Sequence, residues 1–282
     1  MKKNIMIRSE KQFVINRNKV DSPTSMYNHH YHHNLEVYYL YSGERYYFIK
    51  DKTYHIKKGS LIFISEMTIH STINVKNIGY DRFVFNFDRD LLTDFINLSN
   101  SSLFEYFDND IHVINLNYND QLFVEQLLIK MQEENFSSKE NYNLFIKTSI
   151  VQILLTALRY RKTISAKEEK INVKKNSISE ISAYINQNYH EDITLNTLSK
   201  KFYISIYHLS RTFKNETGLS FVDYLNNVRV KESLTLLEQS DFNITQISEK
   251  VGFKSATHFG RIFKKITGIS PLAYKKSKKT DS

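Results

Sequence analysis

Four histidines and one carboxylate crowd into eight residues, His29-His30-Tyr31-His32-His33-Asn34-Leu35-Glu36. Imidazole and carboxylate groups are common ligands of divalent metals, and they serve equally well as polar contacts for a small ligand. Residues two apart share a face of an extended strand, so His30, His32, Glu36 and Tyr38 would point one way. Three uses stay open for that face: metal binding, an effector pocket, or polar contacts that serve only the fold. A second chemically suggestive set lies near the other end. With an offset of 50, Ser205–Tyr224 aligns on Ser255–Tyr274 with nine identities in twenty positions, among them Arg211/Arg261 and Lys214/Lys264. Arginine can pair bidentately with guanine edges, while lysine more often meets phosphate, so a duplicated Arg/Lys face suits nucleic-acid binding.

The elements that must position these residues follow from the apolar pattern. Thr194 can cap a short helix carrying Leu195, Leu198 and Phe202, and Ser205 can cap a second helix after a tight turn. In the second copy Thr245 is the expected cap, Val251-Gly252-Phe253 the turn, and Ser255 the next cap. Leu209 with Phe213, and Phe259 with Phe263, lie one turn apart and should anchor each second helix. That leaves Ile206, Tyr207, Ser210, Arg211 and Lys214 outward in one unit, and Ala256, Thr257, Gly260, Arg261, Lys264 and Lys265 in the other. Gly218 and Gly268 are placed to end those helices in left-handed geometry, and Pro271 to open the last one. Tyr207, Ser210 and Arg211 would read bases in one groove and Ala256, Thr257 and Arg261 in the next, with Lys214, Lys264 and Lys265 on phosphate.

The first third of the chain reads instead as short strands at Leu35–Ser42, Arg45–Lys50, Leu61–Ile64 and Tyr80–Phe87, rich in Tyr, Phe, Ile and Val and separated by turns. Helical spacing takes over at Asp120–Glu134 and Tyr142–Tyr160, which should form an antiparallel pair. The Tyr142–Leu158 stripe would serve the core, with any surplus available to a homodimer seam. Residues 161–175 are polar and without period, as expected of a linker. The reading is thus α+β with two domains: a β-sandwich, jelly roll or small barrel with its helix pair at 1–160, and an all-α domain of two helix-turn-helix units at 176–282.

Composition agrees with a DNA-binding role. The chain has 282 residues and a formal net charge of +9. From Met1 to Lys170 there are 22 basic and 20 acidic residues, but from Ile171 to Ser282 there are 17 and 10, so the charge is concentrated in the repeat. There is no cysteine, which removes disulfides, thiolate metal sites and thiol nucleophiles. A basic start without an apolar stretch behind it argues against a signal peptide, and no run approaches a membrane span. A cytoplasmic location is the expectation. No nucleophile triad, phosphate-cradling loop or dinucleotide fingerprint appears.

Two resemblances sharpen this. His30-x-His32-x3-Glu36-x6-Gly43 resembles the first motif of the cupin barrels, and Gly59–Asn74 the second, with His70 and Asn74 in register but Ser65 and Met67 in place of the usual Pro and Gly. The resemblance makes His70 the completion of a set with His30, His32 and Glu36, while Tyr38, Tyr46, Phe48 and Phe63 could supply aromatic walls for an effector or as easily belong to the core. That set could also hold a divalent metal, although no cofactor is the first expectation. The alternative it raises is a metal-dependent cupin enzyme fused to a DNA-binding domain. Ser205–Tyr224, the joining helix Tyr224–Leu237 with Arg229, and Ile244–Tyr274 resemble the DNA-binding domain of the AraC/XylS family of bacterial transcription regulators. The string from Val251 to Pro271 follows that family's signature except at Thr257-His258, where Ser-Tyr is common, and just ahead of it Ser248 stands where Ala is usual. The resemblance implies a cupin-like sensor that dimerises and binds a small molecule. It also implies promoter DNA and RNA polymerase as partners, and activation of transcription, often of carbohydrate or stress genes.

Overall fold

The computed structural model describes residues 13–21, 32–75, 78–96, 98, 102–109, 112–137, 139–164, 173–174 and 177–280. Seven strands come first: β1 (Phe13–Val20), β2 (Leu35–Ser42), β3 (Glu44–Ile49), β4 (Lys52–Lys57), β5 (Ser60–Ile64), β6 (His70–Asn74) and β7 (Tyr80–Phe87). Short helical turns follow, including α1 (Thr93–Ile96) and α2 (Glu105–Asp108), then β8 (Val113–Asn115). The strands form two antiparallel sheets, ordered β1-β7-β2-β5-β8 and β6-β3-β4-β9, where β9 is the two-residue strand Val173–Lys174. Expectation and structure agree on β2 and β7 to the residue, and on β3 and β5 within one. The charged or strongly mixed segments β1, β4, β6 and β8 escaped the apolar pattern.

The larger sheet is buried on both faces. Tyr38, Leu40, Ile62, Ile64 and Val84 point into the barrel, where they meet Tyr47, Ile49, Tyr54 and Ile56 of the smaller sheet. Val37, Tyr39, Phe63, Phe83, Phe85 and Phe87 point the other way, onto the helix pair α3 (Tyr118–Ser137) and α4 (Tyr142–Ile164). A buried hydrogen bond from the Tyr39 hydroxyl to Glu125 Oε1 (2.8 Å) fastens sheet to helix. Ile146, Ile150, Ile153, Leu154, Ala157 and Leu158 are all buried there, so the α4 stripe is core. Two corrections concern the segment expected as a structureless linker over 161–175. Helix α4 continues to Ile164, and Val173–Lys174 pairs with Tyr54 and Thr53 of β4.

The C-terminal part is helical throughout: α5 (Ser177–Asn188), α6 (Leu195–Phe202), α7 (Ile206–Thr217), α8 (Phe221–Gln239), α9 (Ile244–Lys250), α10 (Ala256–Thr267) and α11 (Pro271–Thr280). Thr194 caps α6 in a reciprocal box with Thr197, as its position predicts. The second unit departs from expectation: Asn243, not Thr245, caps α9, because its side chain accepts from Gln246 N while the Gln246 side chain accepts from Asn243 N, both at 2.9 Å. Arg229 of α8 ties the units together. Its guanidinium donates to the carbonyls of Tyr189 and Glu191, both at 2.8 Å, and stands over the Phe253 ring.

Gly252, in the turn between α9 and α10, has φ +87°, and a Cβ there would lie 2.7 Å from the His190 carbonyl oxygen. Gly252→Ala should therefore cost about 1–3 kcal/mol of stability in urea titration. Gly260→Ala should instead stabilise by up to about 1 kcal/mol, since alanine is the better helix former and its Cβ would meet no atom within 4 Å. Equal stabilities of the two variants would refute this account of the turn.

Candidate effector site and nucleic-acid interface

Inside the barrel, at the end of β2, Glu36 is buried among donors. Its Oε1 accepts from the Tyr47 hydroxyl (3.0 Å), and its Oε2 accepts from Asn86 Nδ2 (3.1 Å) and lies 3.0 Å from His32 Nε2. His70, on β6, places Nε2 3.7 Å from Glu36 Oε1. The ligand atoms of His32, Glu36 and His70 all lie within 4.8 Å of one another. The structure thus assembles three of the four expected ligating groups, while His30 lies outside the described residues.

Hydrogen bonding fixes the proton positions. His32 Nδ1 is 2.7 Å from the Asn34 carbonyl and His70 Nδ1 is 2.8 Å from the Thr68 carbonyl. A carbonyl only accepts, so both Nδ1 atoms carry hydrogen. In the neutral imidazoles each Nε2 would then present a lone pair toward the Glu36 carboxylate. The 3.0 Å contact of His32 Nε2 with the carboxylate therefore calls for a proton between them or a cation beside them. Burial on its own would lower the His32 pKa, but the hydrogen bond to Glu36 and the charge of Glu36 outweigh it and hold the imidazolium above the usual histidine range.

Of the four expected aromatic walls only Tyr38 faces the interior. Phe63 lies on the opposite side of its sheet, against the helix pair, where its ring stacks on Tyr106. Tyr46 stacks on His55, off the interior. Phe48 is buried against the C-terminal helices. Tyr47 takes the place assigned to Tyr46, because β3 turns its odd-numbered residues inward. Asn86 and Tyr47 were missed as site residues. Strand alternation could have found Tyr47, whereas nothing in the sequence marks Asn86.

The loop Ser65–Ile69 joins this site to the helical half. Met67 N donates to the His32 carbonyl (2.8 Å), and Met67 itself is buried with Val230, Phe253, Phe259 and Phe263 of the second unit. Ile69 and Phe48 are buried with Ile181, Leu209 and Phe213 of the first. Lys231 Nζ donates to Thr68 Oγ1 (3.0 Å), and the Tyr224 hydroxyl donates to the Lys50 carbonyl. One five-residue loop therefore touches the Glu36 cluster at one end and both helix-turn-helix cores at the other.

Those two units display the expected outer faces. The hydroxyls of Ser205 and Ser255 accept from His208 N (3.3 Å) and His258 N (3.2 Å), so α7 and α10 start alike. They stop alike at Gly218 (φ +76°) and Gly268 (φ +81°). Leu209, Phe213, Phe259 and Phe263 are fully buried and set each helix's rotation. Ile206, Tyr207, Ser210, Arg211, Lys214, Thr257, Arg261, Lys264 and Lys265 are consequently exposed, and Ala256 and Gly260 half-buried. Lys265 Nζ lies 3.9 Å from Asp223 Oδ1, an exposed pair that leaves the ammonium accessible.

A charged His32–Glu36 pair has a definite pH signature. A raised folded-state pKa contributes stability that is fully present below the unfolded value of about 6.5 and is lost as pH rises through the folded value. With a chelator present, the stability difference between the protein and Glu36→Gln should be largest below about pH 6.5 and shrink at higher pH. A difference independent of pH in urea denaturation would exclude the ion pair.

Residues 15–130 match the family model for an AraC-like ligand binding domain, and residues 198–277 match the model for a helix-turn-helix domain. The chain is 31% identical over 157 residues to the HTH-type transcriptional regulator YdiP of Escherichia coli, an alignment covering 55% of this chain and 50% of that protein. It is 26% identical over 260 residues to the HTH-type transcriptional regulator YfiF of Bacillus subtilis, covering 89% of this chain and 81% of that one. The chain thus spans about half the length of YdiP and most of YfiF. Among solved structures, apo ToxT K231A from Vibrio cholerae aligns over 94% of this chain and 97% of its own, at 14% identity and TM-score 0.42. The DNA-binding domain of AdpA in complex with a target DNA aligns over 38% of this chain and 96% of its own, at 27% identity and TM-score 0.37.

Proposed function

Because the chain belongs to the AraC family of transcription regulators, we propose that α7 and α10 read successive major-groove segments of promoter DNA and that the barrel senses a small molecule tuning that reading. One observation carries this: two helices with the same cap, the same stop and the same buried anchors present Arg and Lys at matching positions. Helices so built can enter two grooves with their N-terminal residues toward base edges. In this division of labour residues 1–160 sense, 161–175 connect and 176–282 bind DNA. No helix among the described residues is long and apolar enough to cross a membrane, and the protein works in the cytoplasm beside its promoter.

The barrel acts as a sensor without catalytic turnover. An effector bound at Glu36, His32, His70 and Tyr38 shifts the His32 carbonyl and, through it, Met67 in the second unit's core. It regulates only insofar as it binds the DNA-competent arrangement more tightly than the other. The protein activates transcription through contact with RNA polymerase. It works as a homodimer whose seam uses the exposed Leu122, Phe123 and Leu144 of the helix pair, since the buried stripe of α4 is already spent.

Arg261→Ala should cost about 1–3 kcal/mol of binding to the specific promoter, while Lys264→Ala weakens all duplexes alike. Fluorescence anisotropy at fixed salt, on the chain's own upstream promoter and on shuffled DNA, separates the two. Equal losses on both duplexes for Arg261→Ala would remove it from base reading.

A second reading of the barrel site is favoured by its proton positions. Two Nε2 atoms converging on a carboxylate oxygen pair are donors suited to a divalent transition metal, which His32, Glu36 and His70 would hold. The metal would supply the positive charge that this cluster needs. Zinc or manganese should then raise the melting temperature of chelator-treated protein but not of His70→Ala. No shift in either would leave protons as the charge in the cluster and an organic molecule as the effector.

A further inference from the structure

The two reading helices share a frame but not a surface. With the offset of 50, every reading position that differs is bulkier in the first unit: Ile206 against Ala256, Tyr207 against Thr257, Ser210 against Gly260. The flanking Arg211/Arg261 and Lys214/Lys264 are kept. The turn behaves the same way, since Tyr203 is 96% exposed where the second unit buries Phe253 at 4%. Ile206 and Tyr207 are 45% and 76% exposed, so the N-terminal end of α7 holds large apolar side chains in water. That end of a recognition helix is the part that meets base edges.

Apolar side chains cannot read the donors and acceptors of a base edge. The apolar feature of the major groove is the C5-methyl group of thymine. Ile206 has no polar atom at all, and the Tyr207 ring offers a broad apolar face. In the second unit the matching side chains are too short to reach as far. Gly260 is not required by its own fold, because its φ is ordinary and a Cβ would meet nothing within 4 Å. A helix-interior glycine there costs helix stability without any internal return. With Arg261 and Lys264 equivalent to Arg211 and Lys214, a shorter face allows α10 to lie closer to the duplex.

We infer that the two units read chemically different half-sites: α7 packs Ile206 and Tyr207 on thymine methyl groups of an A·T-rich half, and α10 approaches more closely and reads a half through Arg261. This rests on the DNA-reading role proposed above and names the base chemistry each helix recognises.

The test uses the full chain and a duplex selected from random DNA for tight binding at physiological salt. Thymines of one half at a time are replaced by deoxyuridine, which lacks only the methyl group. One half should prove sensitive, losing about fourfold in affinity for each methyl removed from contact, and the other insensitive. The Ile206→Ala/Tyr207→Ala variant, altered only at exposed positions, should lose that sensitivity, while Leu272→Ala, exposed on α11 and outside both reading faces, should keep it. Melting curves check that each variant is folded. Equal sensitivity in both halves, or sensitivity that survives in Ile206→Ala/Tyr207→Ala, would overturn the inference. Failure of the wild-type chain to select any duplex over shuffled DNA would instead remove the DNA-reading role itself.

Discussion

Phe48 cannot be buried by its own barrel. It stands on β3 with its ring turned away from the interior, and it is fully buried only because Ile181, Leu209, Phe213 and their neighbours in the helical half cover it. Ile69 and Met67 share that dependence. Burying side chains of this size is worth roughly 1.5–3 kcal/mol each. The smaller sheet therefore has two tasks: it lines the Glu36 cluster on one face and packs against the helical units on the other. Apolar burial at this seam joins the two halves, and any change that moves β6 or its loop is felt by both.

Coupling energies between sites usually amount to 1–3 kcal/mol, the range that one or two apolar side chains at this seam can supply. The seam also holds polar contacts that report on alignment, from Lys231 to Thr68 and from Tyr224 to the Lys50 carbonyl. Tyr224 and its repeat partner Tyr274 show how position decides use. The Tyr274 hydroxyl donates to Glu238 beside its own helices, whereas Tyr224 spends the same group on the barrel. The first unit is thereby held through the Lys50 carbonyl as well as through Phe48 and Ile69, and the second through Met67. A cleft of about 90 Å³ at the seam is lined by Thr68, Asn186, Asn227 and Lys231.

The helical half was legible in the sequence because its signals are local. A cap is recognised from a side chain and the three residues after it, and an anchor from one-turn spacing, so Ser205, Ser255, Gly218, Gly268 and Pro271 fall where they were expected. The one slip, Thr245 for Asn243, separates two good capping residues that lie two positions apart. The barrel was legible only in part, because period-two alternation tells which residues share a face but not what covers it. Both faces of β2, β3 and β5 are buried, so Tyr46, Phe48 and Phe63 carried no mark to distinguish interior, seam and helix-pair sides. The Glu36 cluster could be foreseen from His32 and His70. Its partner Tyr47 was open to strand alternation, whereas Asn86 depends on pairing between strands, which spacing along the chain does not reveal.

The internal repeat carries its own argument about what had to stay the same. Of the nine identities, Ser205/Ser255 and Gly218/Gly268 begin and end the reading helices, and Phe213/Phe263 anchor them. Thr217/Thr267 close the last turn, donating to the Phe213 and Phe263 carbonyls at 2.7 and 2.9 Å. Each such position is paid for inside the fold, and a change would cost stability in either copy. The surface positions bear no such cost, and there the copies divide into two groups. Arg211/Arg261 and Lys214/Lys264 are shared although neither pair has a structural task that burial or capping would explain. Ile206, Tyr207 and Ser210 are not shared. A surface that keeps this Arg/Lys pair and changes the side chains beside it suits a duplex, whose phosphates are uniform for the shared Lys and whose base edges vary before the shared Arg and its neighbours.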